Sequence, residues 1–200
     1  METMKPVHLP SLQLPDAAVY FAPHFFSQQQ SDAYLARLLQ EVNWQQESIK
    51  LFGRQLPMPR LTAWYGDKGY TYSGLYNRPQ SWLPVLLELK EQVEKVSGHT
   101  YNSVLLNLYR HGQDSMGWHA DNEAALGPEP AIASLSFGAE RRFGLKHRFR
   151  KDLKPVHLAL PHGSLLLMQG PTQQHWLHHI PKTSRSVQPR INLTFRHVQK

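Results

Sequence analysis

Apolar positions along this chain follow two different rhythms. In the N-terminal half they recur at helical spacing. Tyr34, Leu35, Leu38, Leu39 and Val42, behind a Ser27/Gln30 pair that fits a capping box, predict a helix from Ser27. Pro84 suits a first helical position. It opens a second pattern through Leu86, Leu89, Val93 and Val96, which Gly98 is placed to end. Between these helices Ile49 to Tyr72 reads as extended and turn-rich, punctuated by Gly53, Gly66 and Gly69. Residues 1–20 are Pro-spotted and weakly patterned, which predicts an arm laid on the domain. Phe25, Phe26, Trp82, Leu86 and Leu89 are core candidates, while Trp44 and Trp64 fit either a core or the edge of a cleft.

After Gly98 the rhythm shortens. Strands are expected at Val104–Arg110, Ile132–Phe137, Arg142–Lys146, Val156–Leu160, Ser164–Gln169, Trp176–Ile180 and Arg190–Val198, with Gly, Pro, Asn or Asp in most of the gaps. Many short strands so punctuated belong to a barrel or a sandwich. The expected architecture is therefore α+β, with N-terminal helices packed on one face of a distorted double-sheet barrel. A chain of 200 residues without internal repeats fits one domain.

Composition narrows the chemistry. With 40% hydrophobic and 10% aromatic residues the chain is of globular type. No apolar run is long enough to span a membrane, and Met1 to Pro10 has no apolar block behind a basic start. A cytoplasmic protein without membrane association is the expectation. The absence of cysteine removes disulfides, thiolate metal sites and thiol catalysis, and leaves His and carboxylates as metal ligands. The net charge of +7 is one-sided: residues 1–100 carry nine Lys/Arg and nine Asp/Glu, residues 101–200 thirteen and six. Arg141, Arg142, Lys146, Arg148, Arg150, Lys151 and Lys154 crowd together, opposed only by Asp152. Such a cluster suits a polyanionic partner, or is a solvated basic loop.

Two constellations stand out. In Gly117-Trp118-His119-Ala120-Asp121, residues 119 and 121 point the same way in an extended backbone and can reach one ion. A third ligand is available in His175-Trp176-Leu177-His178-His179. Two imidazoles and a carboxylate on one face of a metal form the facial triad of non-haem iron(II) oxygenases. Alone, H-x-D is weak in a chain with twelve histidines. The second constellation is the last strand, where Ile191, Leu193 and Phe195 alternate with Arg190, Asn192, Thr194 and Arg196. If helices cover the apolar side, the polar side faces into the barrel, and two inward guanidiniums require anions. A small dicarboxylate chelating the ion satisfies both, because Arg forks match carboxylates. Asn107 and Tyr109 share a strand face and can hydrogen-bond the same ligand.

The chain resembles the AlkB family of nucleic-acid dealkylating dioxygenases, and looks nearest to its duplex-DNA-acting members. The matching segments are Asn107 to Asp121, Ile132 to Gly138, His162 to Leu166, Trp176-Leu-His178 and Pro189 to Arg196. Weaker likeness runs through Pro59-Arg60 and Tyr65-Gly66-Asp67 to Ser73-Gly74. The resemblance implies a double-stranded β-helix (jelly-roll) core over 101–200 and helices and nucleotide-recognition hairpins over 21–100; a monomer is the simplest expectation for the assembly. It implies His119, Asp121 and His178 as ligands of Fe(II). Arg190 and Arg196 would meet the two carboxylates of 2-oxoglutarate, supported by Asn107, Tyr109 and Asn192. Arg60, Tyr70, Tyr72, Ser73, His119 and Glu123 would contact substrate, and Leu51-Phe52 would be a wedge filling the gap left by a flipped nucleotide. The implied reaction consumes 2-oxoglutarate and dioxygen, releases succinate and carbon dioxide, and removes an N-bound methyl as formaldehyde. 1-Methyladenine and 3-methylcytosine in DNA are the expected substrates.

Blander alternatives compete. Tyr70 and Tyr72 also fit cross-strand packing. His111, His147, His157, His162, His175 and His197 read as ordinary polar residues. The same dioxygenase could serve RNA, a protein side chain or a small molecule. The barrel could instead be a non-catalytic nucleic-acid module, or hold a structural zinc, although three N/O ligands usually leave a position for catalytic water.

Overall fold

The computed structural model of the chain describes residues 9–51, 54–72, 75–77 and 79–199. Its N-terminal half contains β1 (Ser11–Leu12), β2 (Ala18–Ala22), α1 (Gln28–Glu41), β3 (Ser48–Leu51), β4 (Arg54–Pro57), β5 (Leu61–Gly66), β6 (Tyr70–Tyr72), β7 (Leu75–Asn77) and α2 (Pro84–Ser97). Then follow β8 (Ser103–Tyr109), β9 (Met116–His119), β10 (Ile132–Gly138), β11 (Arg141–His147), β12 (Val156–Leu160) and β13 (Ser164–Gln169). The chain closes with α3 (Thr172–His175), β14 (Trp176–Ile180) and β15 (Arg190–Arg196).

Local chemistry starts and stops the helices as the residues predict. The Ser27 hydroxyl accepts from the Gln30 N–H at 3.3 Å while the Gln30 side chain accepts from the Ser27 N–H at 3.0 Å, so two orphan donors of α1 are satisfied reciprocally. α2 begins at Pro84 and ends at Gly98, whose φ of 70° is left-handed and costs a residue without Cβ little. An Arg37–Glu88 pair at 2.8 Å ties the two helices together.

The strands form two main sheets. The larger has seven strands in the order β1-β2-β13-β10-β15-β8-β5, and the smaller has four, β12-β11-β14-β9. From β8 onward the chain passes back and forth between them in antiparallel pairings, with only the β11–β12 hairpin staying within the small sheet, which is the double-stranded β-helix. β3–β4 and β6–β7 are separate hairpins.

Strand parity sorts the side chains. On the helix side of the large sheet, Val104, Leu106, Ile191, Leu193 and Phe195 join Leu38, Val85, Leu86, Leu89 and Val93 in one core. On the other side, Leu105, Tyr109, Ile132, Leu166 and Met168 meet Phe143, Leu145 and Trp176 of the small sheet in a second core. Trp64 belongs to that second core at 3% exposure, so it is core rather than cleft edge.

Two elements depart from expectation. The arm expected over 1–20 contributes β2, which pairs with β13 at Val19↔Met168 and widens the large sheet. Its partner lies far along the chain, so no local periodicity announces it. β9 was not foreseen because Gly117 interrupts a strand of only four residues. No helix among the described residues is long and apolar enough to cross a membrane.

Candidate metal centre and its anion pocket

The cavity between the sheets is small, about 40 Å³, and its walls come from strands β8 to β15 of both sheets, mostly from their inward-facing positions. His119 and His178 are opposed across β9 and β14. Asp121 follows β9 and reaches the same point. The ligand atoms of these three residues lie within 4.8 Å of one another, and Asp121 Oδ2 stands 3.7 Å from His178 Nε2. His178, not His179, points inward: His178 is buried at 5% exposure, while His179 turns to the outer face and stacks on Trp118.

Two of the three candidate ligands, His119 and Asp121, are aimed by a neighbour. His119 Nδ1 lies 2.9 Å from the Gly117 carbonyl. A carbonyl only accepts, so Nδ1 carries the proton and Nε2 is left with its lone pair for an ion. The Asp121 N–H donates to Gln173 Oε1 at 2.9 Å, which fixes its backbone from α3. Asp121 Oδ1 accepts from Arg196 Nη2 at 2.6 Å. Burial alone would raise the Asp121 carboxyl, but Arg196 and the two imidazoles outweigh it and hold it at about 2. Burial, with His119 beside it, pushes His178 down to about 3. Burial lowers His119 as well. At neutral pH the site therefore presents two neutral imidazoles and one carboxylate, a donor set from which no proton has to be displaced.

The candidate anion pocket lies on β15. Arg190 and Arg196 are buried at 1% and 2% exposure, inside rather than turned to water. Arg190 donates to Ser136 Oγ at 2.8 Å and lies 5.3 Å from the Tyr109 ring. Its Nε and Nη1 are buried with no hydrogen-bond partner. Burial brings its pKa down to about 10. Asn192 donates to Ser134 Oγ and the Leu135 carbonyl, and accepts from Thr194. Asn107 lines the cavity, with its side-chain oxygen accepting from Arg60 Nε at 2.7 Å. Arg60 is buried and also donates to the Ser115 carbonyl, so it braces the segment that leads into β9. Glu123 stands two residues beyond Asp121, at the start of a short 3₁₀ turn, Ala124–Leu126, with Oε2 buried and lacking a hydrogen-bond partner. Phe52 and Ser73 lie outside the described residues, as do the side chains of Leu51, Tyr70 and Tyr72.

Four contributors were not read from the sequence. Gln173 sits in a one-turn helix with no periodicity to mark it. Arg141 is buried under Tyr109 and donates to the Asp114 and Pro181 carbonyls at 2.9 and 2.7 Å, although sequence places it in a basic run. Ser134 and Ser136 carried a readable signal, two hydroxyls two apart in an apolar strand. A second His/Asp group, Asp16, His147 and His175, has metal-like spacing. However, His147 Nδ1 accepts from the Phe149 and Arg150 N–H groups, so Nε2 holds the proton and donates to Asp16. That is a hydrogen-bonded latch on the N-terminal arm.

The residues fit the groups that such a site takes. Asp121 Oδ2 is a buried acceptor without a hydrogen-bond partner, pointing at two imidazoles, as a cation requires. The unsatisfied edge of Arg190 is the complement of a carboxylate. Fold and site together have the form of the facial triad of metal oxygenases, set on a double-stranded β-helix.

Comparison with known proteins agrees. Residues 18–196 match the 2OG-Fe(II) oxygenase superfamily. The bovine protein named alpha-ketoglutarate-dependent dioxygenase alkB homolog 3 is 44% identical over 188 residues, covering 90% of this chain and 66% of its own length. The rat protein of that name is 45% identical over 88% of this chain and 62% of its own length. The mouse DNA oxidative demethylase ALKBH2 is 42% identical, over 86% of this chain and 77% of its own length. This chain thus spans a little under two thirds of the alkB homolog 3 relatives. The solved structure of OsALKBH1 superimposes with a TM-score of 0.64 at 15% identity, over 93% of this chain and 98% of that one, which supports the fold. This chain belongs to the 2OG-Fe(II) oxygenase superfamily, as an AlkB-type member.

Proposed function

We propose that this protein is an Fe(II)- and 2-oxoglutarate-dependent dioxygenase that demethylates N-alkylated bases such as 1-methyladenine and 3-methylcytosine in DNA. The observation that carries it is the convergence of His119, Asp121 and His178 beside the buried, incompletely paired Arg190. Relatives named as dioxygenases and DNA oxidative demethylases, at 42–45% identity, supply the substrate class.

His119, Asp121 and His178 would hold iron, and Arg190 and Arg196 would meet the two carboxylates of 2-oxoglutarate, with Tyr109, Asn107 and Asn192 around it. When bound, metal and co-substrate supply the oxidising chemistry: 2-oxoglutarate and dioxygen become succinate and carbon dioxide, and one oxygen atom enters the N-methyl group. The hydroxymethyl product then loses formaldehyde and leaves the unmodified base. The protein excludes water, orients the methyl group and keeps both imidazoles neutral. Arg60, Tyr70, Tyr72, Ser73 and Glu123 are assigned to the base and its flanks, and Leu51-Phe52 to the space it vacates. The basic run in the C-terminal half would meet phosphates.

Aerobic incubation with iron(II), 2-oxoglutarate and oligonucleotides carrying either lesion, single- or double-stranded, DNA or RNA, tests this. Formaldehyde and succinate should appear in equal amounts, and His119→Ala or Asp121→Ala should abolish both. Absence of turnover on every oligonucleotide, while 2-oxoglutarate is consumed with a protein or small molecule, would transfer the activity to that substrate.

A further inference from the structure

β9 carries His119, yet it is the least supported strand of the small sheet. It lies at the edge, paired only with β14, and its register slips there. His178 opposes His119 and Ile180 opposes Met116, so three steps of β9 match two of β14. The extra residue is a bulge at Gly117–Trp118, which locally removes ladder hydrogen bonds. The Gly117 carbonyl within that bulge is the group that orients His119. A ligand of the triad is thus aimed by irregular backbone on an exposed edge.

The outer face supplies what the ladder lacks. His119 and His178 point inward, so Trp118 and His179 point outward from the same two strands. Their rings stack with centroids 3.6 Å apart and planes at 12°, and Lys146 Nζ lies 4.4 Å from the centre of the indole. The stack lies flat because the residue beneath His179 is Gly144, its register partner on β11. A Cβ at Gly144 would come within 2.4 Å of His179 Nε2 and 3.2 Å of Trp118 Cη2.

We propose that the Trp118–His179 stack over Gly144 is a positioning clamp that holds the β9 bulge and so aims His119 at the metal. Neither Trp118 nor His179 belongs to the His119, Asp121 and His178 group; they act through the residues next to them. Trp118 is 37% exposed, so its removal opens no deep cavity, and the effect belongs to metal geometry rather than to folding. This inference rests on the metal-binding reading of the triad.

Cobalt(II) titration of the whole chain under anaerobic conditions, followed by its visible absorption and without any nucleic acid, provides the test, alongside melting of the metal-free protein. Trp118→Ala and His179→Ala should each weaken cobalt binding on the order of 10-fold, as removal of groups that orient metal ligands does, and alter the ligand-field spectrum. The metal-free melting point should shift little. Trp118→Phe, which keeps a stacking ring, should restore binding to within about threefold. The double alanine variant should be no worse than either single one, since both remove the same contact. Gly144→Ala should weaken binding by pushing His179 away. Parent-like binding in the alanine variants, failure of Trp118→Phe to rescue, or additive losses in the double variant would each overturn the clamp. If the parent chain itself binds no cobalt, the triad reading is what fails, and the clamp falls with it.

Discussion

Arg190 makes the chemistry of the pocket visible in a single side chain. A guanidinium at 1% exposure with two nitrogens lacking a hydrogen-bond partner is costly to bury, and its pKa is drawn down to about 10 by that burial. Ser136 satisfies one nitrogen; a carboxylate would satisfy the rest. Arg190→Met, close in volume, should therefore weaken 2-oxoglutarate binding by about 10- to 100-fold, the equivalent of a charge-assisted hydrogen bond of about 1.5–3 kcal/mol. Cobalt(II) affinity should remain near that of the parent, because Arg190 does not touch the triad. Calorimetric titration with cobalt(II), followed by titration of the cobalt-loaded protein with 2-oxoglutarate, measures the two affinities in turn. Unchanged 2-oxoglutarate affinity would remove Arg190 from the anion site.

At the level of elements, the turn between β8 and β9 sets where the candidate metal ligands begin. Asp114 is buried and accepts from the Arg110 backbone N–H and from its guanidinium at 2.8 and 3.0 Å. The carbonyls of the same segment receive Arg141 and Arg60. Burial would raise the Asp114 carboxyl, but the hydrogen bonds from Arg110 outweigh it and hold it below its ordinary 3.8. A depressed acid contributes stability that is present above the unfolded pKa and disappears as pH falls through the folded one. Asp114→Asn should thus cost about 1–2 kcal/mol at pH 7, toward the lower end because the Arg110 side chain is partly solvated. The difference from the parent should shrink below pH 3.8 and vanish in stronger acid. Urea unfolding across that range reads it directly. A constant gap at all pH values would mean that shape, not charge, is what Asp114 supplies.

Across the whole molecule, the helices cover one side of the large sheet and leave the outer side of the small sheet to water, where Arg142 is exposed and Lys151 and Lys154 stand on the loop that follows β11. Arg142→Ala with Lys151→Ala should lower the salt dependence of nucleic-acid binding by about two units of slope if each meets one phosphate, with little change between sequences. Fluorescence anisotropy from low to moderate salt measures it, and an unchanged slope would assign that face to solvent. Much of this organisation was legible in the residues. The capping box at Ser27, the Pro84 to Gly98 helix, most of the core strands and the alternation of Arg190 to Arg196 are local patterns, set by hydrogen-bond geometry and by the two-residue period of a strand. The H-x-D pair and the polar face of the last strand were local in the same way. Tertiary structure alone decided which parity faced the cavity, because that depends on where the helices pack. It also chose His178 over its neighbour, joined β2 to β13, buried Arg141 out of its basic run, and brought Gln173 to the Asp121 backbone. Each of these links groups far apart in sequence, or turns a residue by the one-position phase that only pairing across strands can fix.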